Sequence, residues 1–154
     1  MDVEKTIRQY LPQIVHMSLA TCADNKPWVC EVHFAYDEQL NLYFRSLTTR
    51  RHSQEIVTNP NVAGNIVTQH FLDQAVRAVY FEGTAAQVTD DDERQKAFDI
   101  MRHRLHFGDE ILAEAKREDG HQFYKISVST FYLFDSYTSH PSQKYELQWN
   151  GSDR

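Results

Sequence analysis

The chain of 154 residues is poor in basic charge, in cysteine and in long apolar runs, and each shortage excludes a class of protein. Sixteen Lys and Arg stand against 22 Asp and Glu, a formal charge of −6. Affinity for a phosphate backbone comes from clustered cations, so no nucleic-acid partner is expected. No apolar run approaches the roughly 20 residues of a membrane span. The N-terminus carries Asp2 and Glu4 where a secretory leader needs a basic residue before an apolar block. The expectation is a soluble, cytoplasmic protein with no membrane partner. The only cysteines, Cys22 and Cys30, fall in strand-like segments and read as buried reduced thiols rather than a disulfide or metal ligands. No Ser-His-Asp order, Walker loop, Rossmann glycine fingerprint or paired CxxC occurs. Nor is there a repeat, a low-complexity tract or a linker, and this length suits one domain over residues 1–154.

Alternation and turn chemistry supply the elements. A short amphipathic helix is expected from Val3 toward Val15, limited by Pro12 to its first turns. Strands follow at Val15 to Thr21, Trp28 to Tyr36 and Leu40 to Ser46, separated by Ala23-Asp24-Asn25-Lys26-Pro27 and Asp37-Glu38-Gln39. Val62 to Thr68 is apolar and strand-like. Val76 to Thr89 is a long strand interrupted at Gly83 by a bulge or a close backbone approach. A helix opens at a capping Thr89 with Asp90-Asp91-Asp92-Glu93, closes with Arg102-His103-Arg104, and carries Ala97, Met101 and Leu105 on one stripe. A shorter helical piece spans Ile111 to Arg117, and Gln122 to Phe134 is the last strand. From Ser136 the tail is polar and aromatic, with Pro141 in a loop. Six strands joined mostly by short turns predict a mainly-β, six-stranded antiparallel barrel with flanking helices.

The segment Leu42-Tyr43-Phe44-Arg45-Ser46-Leu47-Thr48-Thr49-Arg50-Arg51-His52 departs from the charge rules of stable helices. Thr48-Thr49 offers hydroxyls at a helix N-cap, and Pro60 stops the helix near Asn59. Arg50 and Arg51 then fall in the first turn, where the macrodipole disfavours a cation by about 0.3–1 kcal/mol. Two readings fit: arginines that lean into solvent, or a cradle for an anion docked on the free N–H groups. The helix that opens at Thr89 and closes with Arg102 to His106 before Gly108 obeys the dipole rule that this one inverts, and the inversion asks for a ligand.

Other residues attract plainer readings. Eight histidines invite a metal site, yet His103 and His106 stand at a helix end where cations are favoured anyway, and no metal is expected. His52, beside the anion cradle, is either a donor to a phosphate or to the edge of a bound ligand, or a surface histidine. The Arg102-His103-Arg104 run reads as dipole compensation and solvation. Glu31 and Glu82 are read as ordinary strand residues rather than an acid–base pair. Tyr132, Phe134, Tyr137, Tyr145 and Trp149 either cover a planar ring or pack a dimer seam, with the seam preferred.

Ser18-Leu19-Ala20-Thr21, Pro27-Trp28-Val29, Phe34-Ala35-Tyr36-Asp37, Leu42-Tyr43-Phe44, Arg50-Arg51, Asn59-Pro60-Asn61-Val62-Ala63 and Phe81-Glu82-Gly83-Thr84-Ala85, in that order, resemble the pyridoxamine 5′-phosphate oxidase-like, FMN-binding split barrels. The resemblance covers about Val15 to Asp135 and is nearest to the small bacterial members. It implies a split β-barrel homodimer with FMN across the dimer interface. It implies that Arg50 and Arg51 hold the FMN phosphate with Thr49 as the adjacent hydroxyl position. Phe44 and Arg45 would stand where the third strand passes the cofactor, and Val29, Cys30, Glu31 and Val32 where the second strand lines the flavin ring.

Two departures set the subfamily. Phe34 stands where the oxidase has a lysine for its substrate phosphate. The oxidase's C-terminal arginine-and-histidine pair has no counterpart in Gln143-Lys144-Tyr145-Glu146-Leu147-Gln148-Trp149. The resemblance therefore implies an FMN-dependent oxidoreductase of another substrate and not the vitamin B6 oxidase. The alternative is a non-enzymatic module of the same fold that binds heme, a deazaflavin or a phosphorylated metabolite, or has no cofactor.

Overall fold

In the computed structural model, which describes residues 1–137 and 141–151, eight antiparallel strands form one curled sheet. Residues 138–140 and 152–154 of the expected domain lie outside the described residues. The elements in chain order are α1 (Val3–Tyr10), β1 (His16–Ala23), β2 (Lys26–His33), β3 (Ala35–Tyr36), β4 (Leu42–Ser46), α2 (Arg51–Thr58), β5 (Asn61–Val67), β6 (Arg77–Gln87), α3 (Asp91–Leu105), α4 (Glu110–Ala115), β7 (Gln122–Asp135) and β8 (Gln143–Gln148). The sheet runs β2-β1-β5-β6-β7-β4-β3, with β8 also on β7. The 14-residue β7 is long enough to hold two neighbours, β4 along residues 122–126 and β8 along residues 130–135. This is the split barrel, with eight strands in place of the six expected.

Both extra strands have a physical origin. The single run expected from Trp28 to Tyr36 divides at Phe34, whose N–H turns to the carbonyl of Val15 at 3.0 Å. Ala35 and Tyr36 pair with Tyr43 and Leu42 instead. In the tail, β8 alternates Tyr145 and Leu147 inward with Lys144, Glu146 and Gln148 outward, the period of a half-covered strand. Trp149 follows it into the core, its ring 6.0 Å from Phe131 and its indole N–H on the carbonyl of Gln39 at 2.8 Å. Tyr145 and Trp149 thus pack against the core of the chain itself.

Two apolar clusters sandwich the sheet. The larger fills the barrel with Leu19, Leu42, Phe44, Phe81, Phe131 and their neighbours. The smaller lies under α3, where Ala97, Phe98 and Met101 meet Tyr43, Val88 and Phe123. Strand β4 is therefore covered on both faces, which accounts for its continuous apolar character. Asp90, not Thr89, caps α3 by accepting from the Glu93 N–H at 3.0 Å. At the other end Arg104 is no solvated compensator of the dipole. Its guanidinium donates to the carbonyls of Phe34 (3.1 Å), Leu11 (3.0 Å) and Ile14, and lies over the rings of Phe34 and Tyr36.

The irregularity expected at Gly83 is shared between two strands. The register slips between Glu82 and Gly83, and the extra residue is Ser129 of β7. At Gly83 the two backbones come so close that a Cβ would collide with the carbonyl oxygen of Ser127. The bulged Ser129 offers its carbonyl to the Trp149 N–H at 2.8 Å, which anchors the chain after β8.

Candidate functional site

A cleft of about 770 Å³ opens where β2, the end of β4, the start of α2 and the start of β7 converge. Cys30, Glu31, Val32, Arg45, Arg50 and Arg51, six of the nine candidates from the sequence, line it. Val29, Phe44 and Thr49 do not. Val29 has the opposite strand phase to Cys30 and faces outward beside Ala20, Ala63 and Gly64. Phe44 is fully buried and stacked on Tyr124 at 5.0 Å, inside the barrel. Thr49 sits exposed in the turn before α2.

The threonine pair is not the helix cap. Arg50 itself occupies the N-cap of α2 in extended geometry, and no side chain accepts from the first N–H groups. No acidic residue stands in that first turn. The N-terminus of α2 therefore presents uncompensated donors and positive dipole to the cleft. The two arginines differ in their ties. Arg51 bonds Glu55 through Nε at 3.0 Å and lies 4.4 Å over the Trp28 ring. Arg50 makes no ion pair among the described residues and is exposed.

His52 is buried and shares a 2.8 Å hydrogen bond with the Ser46 hydroxyl through Nε2. Burial first, and then the neighbouring Arg50, push its pKa below the ordinary histidine value, against a smaller pull from Glu55. A neutral His52 braces the turn from β4 into α2, so the surface-histidine reading does not hold. Burial raises the Cys30 thiol, which is half-buried and free, as is Cys22. A neutral thiol faces the cleft rather than a thiolate.

The far wall was not apparent in the sequence. Arg45 donates through Nη2 to Glu114 at 2.7 Å and lies 5.5 Å from the centre of the Phe107 ring. The other oxygen of Glu114 receives both the backbone N–H of His121 at 3.0 Å and a contact from its Nδ1 at 2.6 Å. Phe107 and His121 line the cleft with Arg45. Nothing in the spacing of these residues along the chain announces the cluster. The arrangement offers an anion cradle at one wall, a neutral thiol and apolar strand residues on the floor, and a histidine–carboxylate–arginine group opposite.

The oxidase departures also take a structural form. Phe34 is fully buried beneath Arg104 and lies off the cleft, and β8 lies along the far part of β7. Among the described residues no cluster of three metal-ligating side chains occurs, and no helix is long and apolar enough to cross a membrane.

Comparison with known proteins gives the class. The sequence pattern of the pyridoxamine 5′-phosphate oxidase family matches residues 3–135, and the chain belongs to that family. No curated protein matches the sequence. Among solved structures, Campylobacter jejuni ChuZ superposes with a TM-score of 0.76 at 14% identity over 95% of this chain and 59% of that one. The chain thus spans 59% of that protein's length. General Stress Protein 26 from Bacillus anthracis gives a TM-score of 0.65 at 19% identity, covering 96% of this chain and 100% of that one. HutZ, the heme storage protein from Vibrio cholerae, gives 0.64 at 19% identity over 83% and 91%. At these identities the likenesses establish the split-barrel fold.

Proposed function

We propose that the protein is a homodimeric FMN-dependent oxidoreductase whose flavin lies in the cleft between α2 and β2, with a substrate other than pyridoxamine phosphate. The observation that carries this reading is the uncapped N-terminus of α2, with an unpaired Arg50 at its entrance and a cleft of about 770 Å³ beside it. That volume falls within the roughly 300–1,000 Å³ of small-molecule sites. Arg50, Arg51 and the first N–H groups of α2 hold the phosphate, while Cys30 and Val32 give the ring an apolar floor. Bound flavin supplies two-electron hydride chemistry, and the protein supplies position and charge.

Dimerisation is supported by β2, an edge strand that exposes Trp28 and 59% of Val29. Beside Val29, Ala20, Ala63 and Gly64 leave a shallow floor that suits a second chain. Light scattering at micromolar concentration is expected to show two chains per particle, and a monomer would overturn this part.

A second reading, heme in the same cleft, is favoured by the likeness to a heme storage protein and by His33 and His121 at the cleft wall. The visible spectrum of the purified protein separates the two. Flavin absorbance, or its appearance with bound stoichiometry on adding FMN, supports the first. A Soret band on adding heme with no uptake of FMN supports the second and refutes the first.

A further inference from the structure

Residues 114–121 form a rigid device aimed at the cleft. Helix α4 carries Glu114, and a tight turn returns the chain to His121, the residue before β7. Gly120 permits the return, because any Cβ there would collide with the carbonyl oxygen of Glu114. The buried Gln122 amide pins the turn by donating to the carbonyls of Arg117 at 2.7 Å and Gly120 at 3.2 Å. The side chain of His121 has little freedom left.

Glu114 then decides which ring nitrogen is offered. Bonds from the His121 backbone and ring, followed by Arg45, hold its carboxyl below the usual range, so it is ionised and only accepts. The His121 nitrogen at 2.6 Å must therefore carry a hydrogen on Nδ1. Nε2, with no protein partner among the described residues, is left at the cleft wall. A carboxylate that fixes a histidine's tautomer and aims its other nitrogen is the usual outer support of a histidine that contacts a ligand. Arg45, anchored on Glu114 and Phe107, holds that carboxylate in place.

We propose that His121 is a ligand-contacting residue of this cleft, presenting Nε2 to the polar edge of a planar heterocycle whose phosphate is held at α2, with Glu114 and Arg45 as its positioning residues. The inference rests on the flavin reading and deepens it. Neutral, Nε2 accepts from a ring N–H; protonated, it donates to a ring carbonyl.

The test is FMN titration of wild type, His121→Ala, His121→Gln and Glu114→Gln, with inorganic pyrophosphate as a second probe and imidazole nitrogen NMR for the tautomer. His121→Ala is expected to weaken FMN about 10–100-fold, the loss of one hydrogen bond with partial charge. His121→Gln should restore part of that affinity, and pyrophosphate, which needs only α2, should bind all variants alike. Wild-type His121 should show the Nδ1–H tautomer, and Glu114→Gln should shift it toward Nε2–H. FMN affinity changed less than about twofold in His121→Ala, or an Nε2–H tautomer in wild type, overturns this inference and leaves the flavin reading standing. A wild-type protein that takes up no FMN overturns both. Thermal melts identify any variant that loses affinity by unfolding, and His121→Gln then carries the comparison.

Discussion

Arg50→Asp should make the protein more stable and worse at binding. Arg50 is the N-cap of α2, extended and exposed, with no side chain accepting from the first turn. Aspartate is among the best residues for that position, and a new cap bond contributes about 0.5–2 kcal/mol. Exchanging a cation for an anion at the positive end of the dipole adds about 0.3–1 kcal/mol, reduced by solvent at an exposed site. The ligand-free protein should therefore gain about 1–2 kcal/mol, or roughly 2–8 °C in melting temperature for a chain of this size. Binding moves the other way. A charge-assisted bond to phosphate is lost, costing about 1.5–3 kcal/mol, and the new carboxylate occupies the N–H groups and repels the ligand. FMN affinity should fall at least about 10–100-fold. The assay is a pair of measurements on one variant: a thermal melt without ligand and a titration with FMN. A less stable apo protein with unchanged affinity would show that Arg50 serves the fold and would remove the anion cradle from the argument.

Other perturbations probe the scaffold and the subfamily. Arg104→Met should destabilise by about 3 kcal/mol or more in urea unfolding, because three carbonyls on two segments, the turn at residues 11–14 and Phe34, lose a charged donor while most of the apolar stem is kept; a cost below about 1 kcal/mol would return Arg104 to the solvated role read from the sequence. His52 has a folded pKa below its unfolded value of about 6.5, so the unfolded chain takes up the proton first; the stability from neutral His52 is present above that pH and is lost as pH falls below it. The slope of the urea midpoint below about pH 6.5 should be shallower in His52→Gln, and an identical slope would refute the assignment. FMN-saturated protein should form no pyridoxal phosphate at an ordinary enzymatic rate of about 1 s⁻¹, since the position of the substrate lysine is taken by a buried Phe34. Turnover at that rate would overturn the subfamily assignment.

The elements that sequence alone made legible are those governed by local rules. Pro12 ended α1, Pro60 stood just past α2, and the close approach at Gly83 lies where expected. Strand phase was harder. The resemblance sets four consecutive residues, Val29 to Val32, against the ring, but a strand sends neighbours to opposite faces, and Val29 lies on the outer one. Glu31 still reaches the cleft because β2 is an edge strand, not covered there by a neighbour. Phe44 lies away from the cleft for a different reason. β4 is buried on both sides, and its apolar run gives no phase to read.

The two walls of the cleft differ in legibility for one physical cause. At α2 the charges violate a stability rule, so the sequence carries a visible misfit that marks the segment for attention. At the far wall every residue obeys its local rule. Glu114 is an unremarkable helix residue, His121 immediately precedes a strand, and Arg45 lies near the end of an aromatic one. Their juxtaposition comes from a return of the chain through Gly120 and from pairing Arg45 with Phe123 across the sheet, and neither leaves a local conflict behind. Arg104 shows the same blindness in reverse. A cation at a helix C-terminus satisfies the dipole rule so well that its burial against three carbonyls went unsuspected. A residue that already has a sufficient local reason to be where it is gives the sequence no sign of a second role, and only the tertiary contacts reveal it.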